Sequence, residues 1–306
     1  MKLFKDKAKK FKLTKTQTLL LKIVVSSSLL LVIFNQIDKE EFFENIKLLQ
    51  WGYVPFILLF IILNYVLGAF RWKKMLVFKN SEKVSVKYLT NLYFIGSFFN
   101  NFMPSSIGGD VYKVFKLGKK IDSTTDAFSS TFMERFSGVL VLMVISIFGL
   151  TKNYGFWVIP IFILFIVGIF VGIKVLDIAS QKIKALRKIY DSLMKYKGKN
   201  KVLTYALTTS VFVQILAIAT QYLMFAAIGV KLPIFYSLFV FPIITLAGFF
   251  IPSLNGLGVQ DALYMQLFSV VGVPTEISLS ASILYHLSRL VVSLIGGVLY
   301  AMGKDQ

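Results

Sequence analysis

The chain has 306 residues, of which 56% are hydrophobic, and a mean hydropathy of +0.72. Apolar runs of spanning length recur from end to end, which defines a polytopic integral membrane protein and excludes an ordinary soluble globule. There is no cysteine and one histidine, His286, which excludes disulfides, thiolate metal sites, cysteine nucleophiles and a histidine metal cluster.

The formal net charge of +19 is unevenly placed. Seven lysines crowd Met1 to Thr16, six basic residues fall in Arg71 to Lys87, four in Lys113 to Lys120 and nine in Lys174 to Lys201. The loop Asp38 to Lys47 is instead acidic, with Asp38, Glu40, Glu41 and Glu44 against Lys39 and Lys47. By the positive-inside rule the basic segments are cytoplasmic and the acidic loop external. The charge therefore reports topology and contact with anionic lipid headgroups, and no nucleic-acid partner is expected, because the basic blocks are short flanks of spans.

In chain order, a basic cytoplasmic tail (1–16) precedes a single transmembrane domain (17–306). Thr18 to Phe34 is the first span; it lacks a small-residue cleavage site and is read as retained. Gly52 to Phe70 returns and stops at RWKK. Asp126 to Leu150 runs outward, TKNYG turns the chain, and Phe156 to Ile173 comes back. Ile183 to Met194 has helical apolar spacing among basic residues, as in a helix lying on the inner membrane surface, or equally a solvated linker. Lys201 to Ile228 and Ile277 to Met302 are the last full spans. Both termini are expected in the cytoplasm, and the membrane is taken to be the plasma membrane.

Two apolar segments do not fit as simple crossings. Tyr88 to Tyr112 has basic clusters on both sides, and its helix before Pro104 is only about 22 Å long at 1.5 Å per residue, short of the ~30 Å hydrocarbon layer. The stretch FNNFMPSSIGGDVYK then breaks it, with Pro104 ending one half-helix and the glycines permitting a reversal. PSSIGGD at Pro104 to Asp110 has an echo in PSLNGLGVQD at Pro252 to Asp261, each after an aromatic-rich helix and before a short apolar one. The expected fold is all-α: a polytopic membrane helix bundle with two re-entrant broken-helix hairpins in an inverted repeat, one entering from each side. Two ordinary spans kinked by Pro and Gly are the alternative.

Charges at membrane depth cost roughly 3 kcal/mol even on the lenient insertion scale, so they must face partners or water. Asp110 and Lys113 share a helical face, as do His286 and Arg289. Glu134 and Arg135 are adjacent and point about 100° apart, so each serves a different partner. These charges read either as structural ion pairs or as the lining of a cavity for a headgroup. Half-helix N-termini at Ser106 to Gly109 and Asn255 to Gly258 would direct backbone N–H groups at a phosphate. The candidate substrate-binding set is Asn101, Pro104, Ser105, Gly108, Gly109, Asp110 and Lys113; Glu134 and Arg135; Pro252, Asn255, Gly256, Gly258 and Asp261; and His286 with Arg289. Of these, Arg289 is assigned to the lipid phosphate, with Arg135 as the alternative cation, because a guanidinium holds two phosphate oxygens at once.

NNFMPSSIGGDVYKVFKL, FMERFSGVL, IPSLNGLGVQDALYMQLF and SILYHLSRLV together resemble the flippase-like family of the lysylphosphatidylglycerol synthase transmembrane region, over nearly the whole chain. The resemblance implies a translocator of modified phospholipid between leaflets, related to the membrane half of bacterial multiple peptide resistance factors. Lys113 stands where that family usually has arginine, and Gln260 and Asp261 where it usually has arginine and glutamate, which bears on the substrate. No long polar region for a soluble aminoacyl-transferase domain is present, so synthesis of the lipid is not expected. The function read here is movement of a phospholipid or other polar-headgroup lipid between leaflets. The expected partners are membrane lipids, anionic or modified, with a homo-oligomer left open. No catalytic constellation, metal or cofactor is expected, and no GxxxxGK[ST] nucleotide loop occurs. The alternatives are a membrane-embedded enzyme acting on a lipid phosphate, with Asp110 and Asp261 as metal ligands, and a structural subunit using Ser293, Gly297 and Ala301 as a helix-contact face.

Overall fold

A computed structural model describes residues 39–102, 108–251 and 253–305. The basic tail, the first apolar run Thr18 to Phe34, and Pro104, Ser105 and Pro252 lie outside the described residues. Secondary structure among the described residues is entirely helical. The helices are α1 (Lys39–Lys47), α2 (Val54–Met75), α3 (Val86–Phe102), α4 (Gly108–Lys120), α5 (Thr124–Gly149), α6 (Val158–Ser180), α7 (Lys184–Met194), α8 (Asn200–Ala227), α9 (Ile234–Phe250), α10 (Val259–Ser269) and α11 (Thr275–Ala301).

Four stretches are long and apolar enough to cross a membrane: Trp51–Met75, Thr124–Ser180, Asn200–Ala227 and Thr275–Ala301. The second, of 57 residues, holds both α5 and α6, separated at Gly155, whose φ of +50° only glycine adopts freely. The expected TKNYG reversal is thus a short helical turn, Thr151–Tyr154, followed by that glycine. Helix α7 brings the chain back to the start of α5, where Ser192 and Ser129 hydroxyls lie 3.0 Å apart and Lys195 pairs with Asp126 at 2.6 Å, so α5 and α6 run antiparallel. Ser123 caps α5 by accepting the Asp126 N–H. Helix α6 buries only its ends, Val158 and Ser180, and presents Leu164, Phe170 and Val175 outward. An apolar surface of that extent suits hydrocarbon, not water.

Helices α3 and α4, and again α9 and α10, have 17, 13, 17 and 11 residues, or about 26, 20, 26 and 17 Å at 1.5 Å per residue, each shorter than a ~30 Å hydrocarbon layer. Each pair packs antiparallel. Lys120 reaches the Tyr88 ring, Lys113 the Tyr93 ring, and Asn100 Oδ1 accepts the Gly109 N–H at 2.7 Å. In the second pair the Tyr236 hydroxyl donates to the Leu267 carbonyl, Phe241 packs on Tyr264, and Gly248 meets the Gln260 side chain. Each pair has its own core. Trp72, Leu76, Leu89, Leu92, Leu117 and Ile121 surround the first; Phe225, Phe241, Ile244, Tyr264 and Phe268 surround the second. Phe225 stacks on Tyr264 with ring planes 2° apart and sits 4.5 Å from Phe268, which ties α10 to α8.

One end of the bundle gathers the start of α2, the end of α8 and the start of α9: Gln50 N–H donates to the Ala227 carbonyl, and the Gly149 backbone abuts Phe235 and Phe239. The other end gathers Met75, Tyr196, Tyr112 and the C-terminal residues. There Asp305, buried, pairs with Lys116 at 2.5 Å and accepts the Tyr112 hydroxyl, and Asn91 donates to the Lys304 carbonyl. Burial pulls the Asp305 pKa up, but the Lys116 and Tyr112 hydrogen bonds outweigh it and hold the carboxyl below the usual carboxylate range.

Helices α11 and α3 approach each other closely at Gly296. A Cβ on Gly296 would lie 2.0 Å from the Phe94 carbonyl oxygen and 2.3 Å from its carbon, and no side-chain rotation can relieve a clash with backbone. Ser293 and Gly297 face the same helix, through Asn101 and the Phe98 ring, so this small-residue face serves internal packing. Gly296→Ala should therefore lower the thermal unfolding midpoint by the equivalent of about 1–3 kcal/mol. Gly168→Ala, on the outward α6 with nothing within 4 Å, should leave it unchanged. Equal midpoints for the two variants would contradict this packing.

Candidate functional site

The charges anticipated at membrane depth divide into three groups around one cavity of about 260 Å³. Its walls come from α2, α3, α4, α5, α8, α9, α10 and α11 and from the segment before α10. The first group stands on the first hairpin. Asp110, in the opening turn of α4, takes Arg135 through both carboxylate oxygens, at 2.8 Å from Nε and 3.0 Å from Nη2, and Lys113 at 2.9 Å. The i,i+3 spacing brings Asp110 and Lys113 together, and α5 adds the fork. Lys113 Nζ also sits 4.1 Å from the Tyr93 ring centre and 5.0 Å from that of Trp72, so a buried ammonium has a carboxylate and two aromatic faces. Arg135 is the more open member, with 40% of its side chain exposed and its guanidinium 5.9 Å from the Phe249 ring.

The second group is Glu134 with Arg71, both fully inside the bundle, where Arg71 Nη2 donates to Glu134 Oε1 and Nη1 to Ser210 Oγ at 2.8 Å. Adjacent in sequence, Glu134 and Arg135 indeed serve different partners. Arg71 corrects the sequence reading that placed it in a cytoplasmic basic flank. Helix α2 runs on to Met75, and Arg71 falls on the stripe that buries Ile57, Ile61, Gly68 and Trp72, while Lys74 is exposed. That 3–4 spacing was the signal available for it.

The third group is on the opposite wall. Arg289 Nη2 donates to Asn255 Oδ1 at 2.9 Å and its guanidinium lies 5.4 Å from the Tyr285 ring centre. Among the described residues no carboxylate pairs with it. Asn255 holds a left-handed φ of +51°, one of the few non-glycine residues suited to it, and the next left-handed positions are Gly256 and Gly258. Asn255 Nδ2 donates to Asn101 Oδ1 at 2.9 Å, and Asn101 Nδ2 to Ser293 Oγ at 2.7 Å. This relay joins the end of α3, the segment before α10, and α11.

Several expected members stand elsewhere. Asp261 is fully buried behind the cavity, where it accepts the Gly258 N–H at 2.7 Å and the Ser282 hydroxyl at 2.5 Å; His286 Nε2 is 3.4 Å away. Asp261 thus caps its own helix. At the two half-helix N-termini expected to present free N–H groups, one group of each is taken within the protein: Gly258 gives its N–H to Asp261 and Gly109 gives its own to Asn100, while Ser106 lies outside the described residues. Gly108 and Gly109 are buried where α4 meets α3; Gly109 touches the Gly96 carbonyl. Beside Arg71, the cavity adds Asn64 and Gln214, which sequence reasoning did not single out, and Gln260, which it noted only as a departure from the family pattern. Glu134 Oε2, Arg71 Nε, the Tyr93 hydroxyl and Gln260 Oε1 are buried and have no hydrogen-bond partner among the described residues. Each belongs to a residue that lines the cavity.

Long apolar helices enclosing a cavity of paired charges define a helical membrane protein with a polar interior. The family model described as "Lysylphosphatidylglycerol synthase TM region" matches residues 19–297, and the chain belongs to that family. The match takes up nearly all of these 306 residues, and no soluble synthase domain is evident within them. No curated protein matches the chain.

Proposed function

We propose that this protein moves a polar-headgroup lipid between membrane leaflets, with the headgroup in the charged cavity and the acyl chains in the surrounding lipid. The observation that carries the reading is the cavity itself, which has charges of both signs and lies between two short helix pairs. A headgroup crossing hydrocarbon needs such a polar path, and non-helical backbone at that depth needs a wet cavity to face. The contacts at the two ends of the bundle favour α3–α4 opening beside the basic end and α9–α10 at the opposite end, as in an inverted repeat of re-entrant hairpins. On this reading the basic end, and with it both termini, faces the cytoplasm, and the membrane is the plasma membrane.

The enzyme alternative is disfavoured by how its two carboxylates are used. Asp110 is already neutralised by Arg135 and Lys113, and Asp261 is spent on Gly258 and Ser282, so neither offers a metal a free carboxylate. The reading requires one hairpin to open on each side. In this cysteine-free chain, single cysteines at Lys119 and Ser269, both exposed at the open ends, should react with a membrane-impermeant maleimide from opposite faces of sealed vesicles. Labelling of both from one face would refute it.

A further inference from the structure

Resting on that translocator reading, we infer that the cavity selects a headgroup of net negative charge, a phosphate ester, over an aminoacylated headgroup of net positive charge. The inference comes from the charge the protein leaves unbalanced. Among the described residues lining the cavity, the cations are Arg71, Lys113, Arg135 and Arg289, and the anions are Asp110 and Glu134. Glu134 is matched by Arg71. Asp110 faces two cations, Arg135 and Lys113. Arg289, across the cavity, has an amide oxygen and an aromatic ring as neighbours. The surplus is therefore two positive charges, one on each wall.

Both surplus cations are placed to be used. Arg289 spends Nη2 on Asn255 and also meets the Tyr285 side chain, which leaves part of its five-donor fork for a guest. Arg135 is the exposed member of its cluster. A phosphate in the cavity brings the missing negative charge, and either guanidinium can offer it two donors. A lysylated headgroup brings two ammonium groups with its one phosphate and meets two cations with no spare carboxylate to receive them. Electrostatic matching of this kind sets preference between ligands more than absolute affinity. The selection set by these residues thus differs from the lipid in the family's title.

The test is competition against a fluorescent phosphatidylglycerol bound to the full chain in detergent micelles. Unlabelled phosphatidic acid and phosphatidylglycerol should displace it at least about tenfold better than lysylphosphatidylglycerol, with phosphatidylcholine between them. Glycerol 3-phosphate should not displace it at comparable concentration. Arg289→Gln should shrink the preference, and the wild-type competition decides the matter even if that variant does not fold. Displacement by the lysylated lipid equal to or better than by phosphatidylglycerol would overturn the charge selection and leave the translocator reading standing. Failure of every lipid to compete, or displacement by glycerol 3-phosphate as strong as by phosphatidic acid, would overturn the lipid reading and this inference with it.

Discussion

Arg71→Met is expected to destabilise the protein by about 3–5 kcal/mol, because it leaves the Glu134 carboxylate charged inside the bundle without its ion partner. Glu134 has no reserve: its second oxygen has no hydrogen-bond partner among the described residues. Arg71 Nη1 also holds Ser210, which in turn bonds Ser137, so the loss spreads to the α5–α8 contact. The double variant Arg71→Met/Glu134→Leu should recover most of the loss, since an apolar pair of similar size is often as stable as the buried ion pair it replaces. Thermal unfolding of the two singles and the double gives the coupling directly. If the single costs under about 1 kcal/mol, or the double costs the sum of the singles, the pair is not an isolated buried couple.

Much of this was legible in the sequence for local reasons. The helix breaks were marked by Pro and Gly, and the NGLG run matches the left-handed positions Asn255, Gly256 and Gly258. Asp110 and Lys113 sit one turn apart, so their ion pair needed no tertiary information. The Arg71–Glu134 pair was not legible, since its members are 63 residues apart and RWKK has the composition of an ordinary interfacial flank. The role of Asp261 was hidden for a different cause. Spacing placed it near the cavity, but only the backbone path of Gly256 to Gly258 turns its carboxylate onto its own helix end. Arg289 is assigned from the sequence to a lipid phosphate, and the structure gives it Asn255 as its hydrogen-bond partner, a choice that no periodicity encodes.

Asp110→Asn is expected to abolish lipid transfer. It removes the only carboxylate that Arg135 and Lys113 pair with among the described residues and leaves two cations side by side at the cavity wall. A charge left without its partner at that depth costs about 3 kcal/mol, which corresponds to roughly a hundredfold in rate if the cost falls on the transfer step. Asp122→Asn, at an exposed position with water for a partner, should transfer like wild type. Inserted protein is checked first by its unfolding transition, so that loss of transfer is not loss of fold. Equal and small effects of the two substitutions would assign the Asp110 cluster to helix packing alone.

The most direct measurement is leaflet exchange in sealed proteoliposomes, with fluorescent phosphatidylglycerol and an impermeant quencher added outside. Wild-type protein should carry the inner-leaflet lipid to the quencher at least about tenfold faster than protein-free vesicles do, a barrier difference of about 1.4 kcal/mol or more, and Asp110→Asn vesicles should match the protein-free rate. Inner-leaflet fluorescence that persists equally in wild-type, variant and empty vesicles, in the presence of folded and inserted protein, would contradict lipid translocation through this cavity.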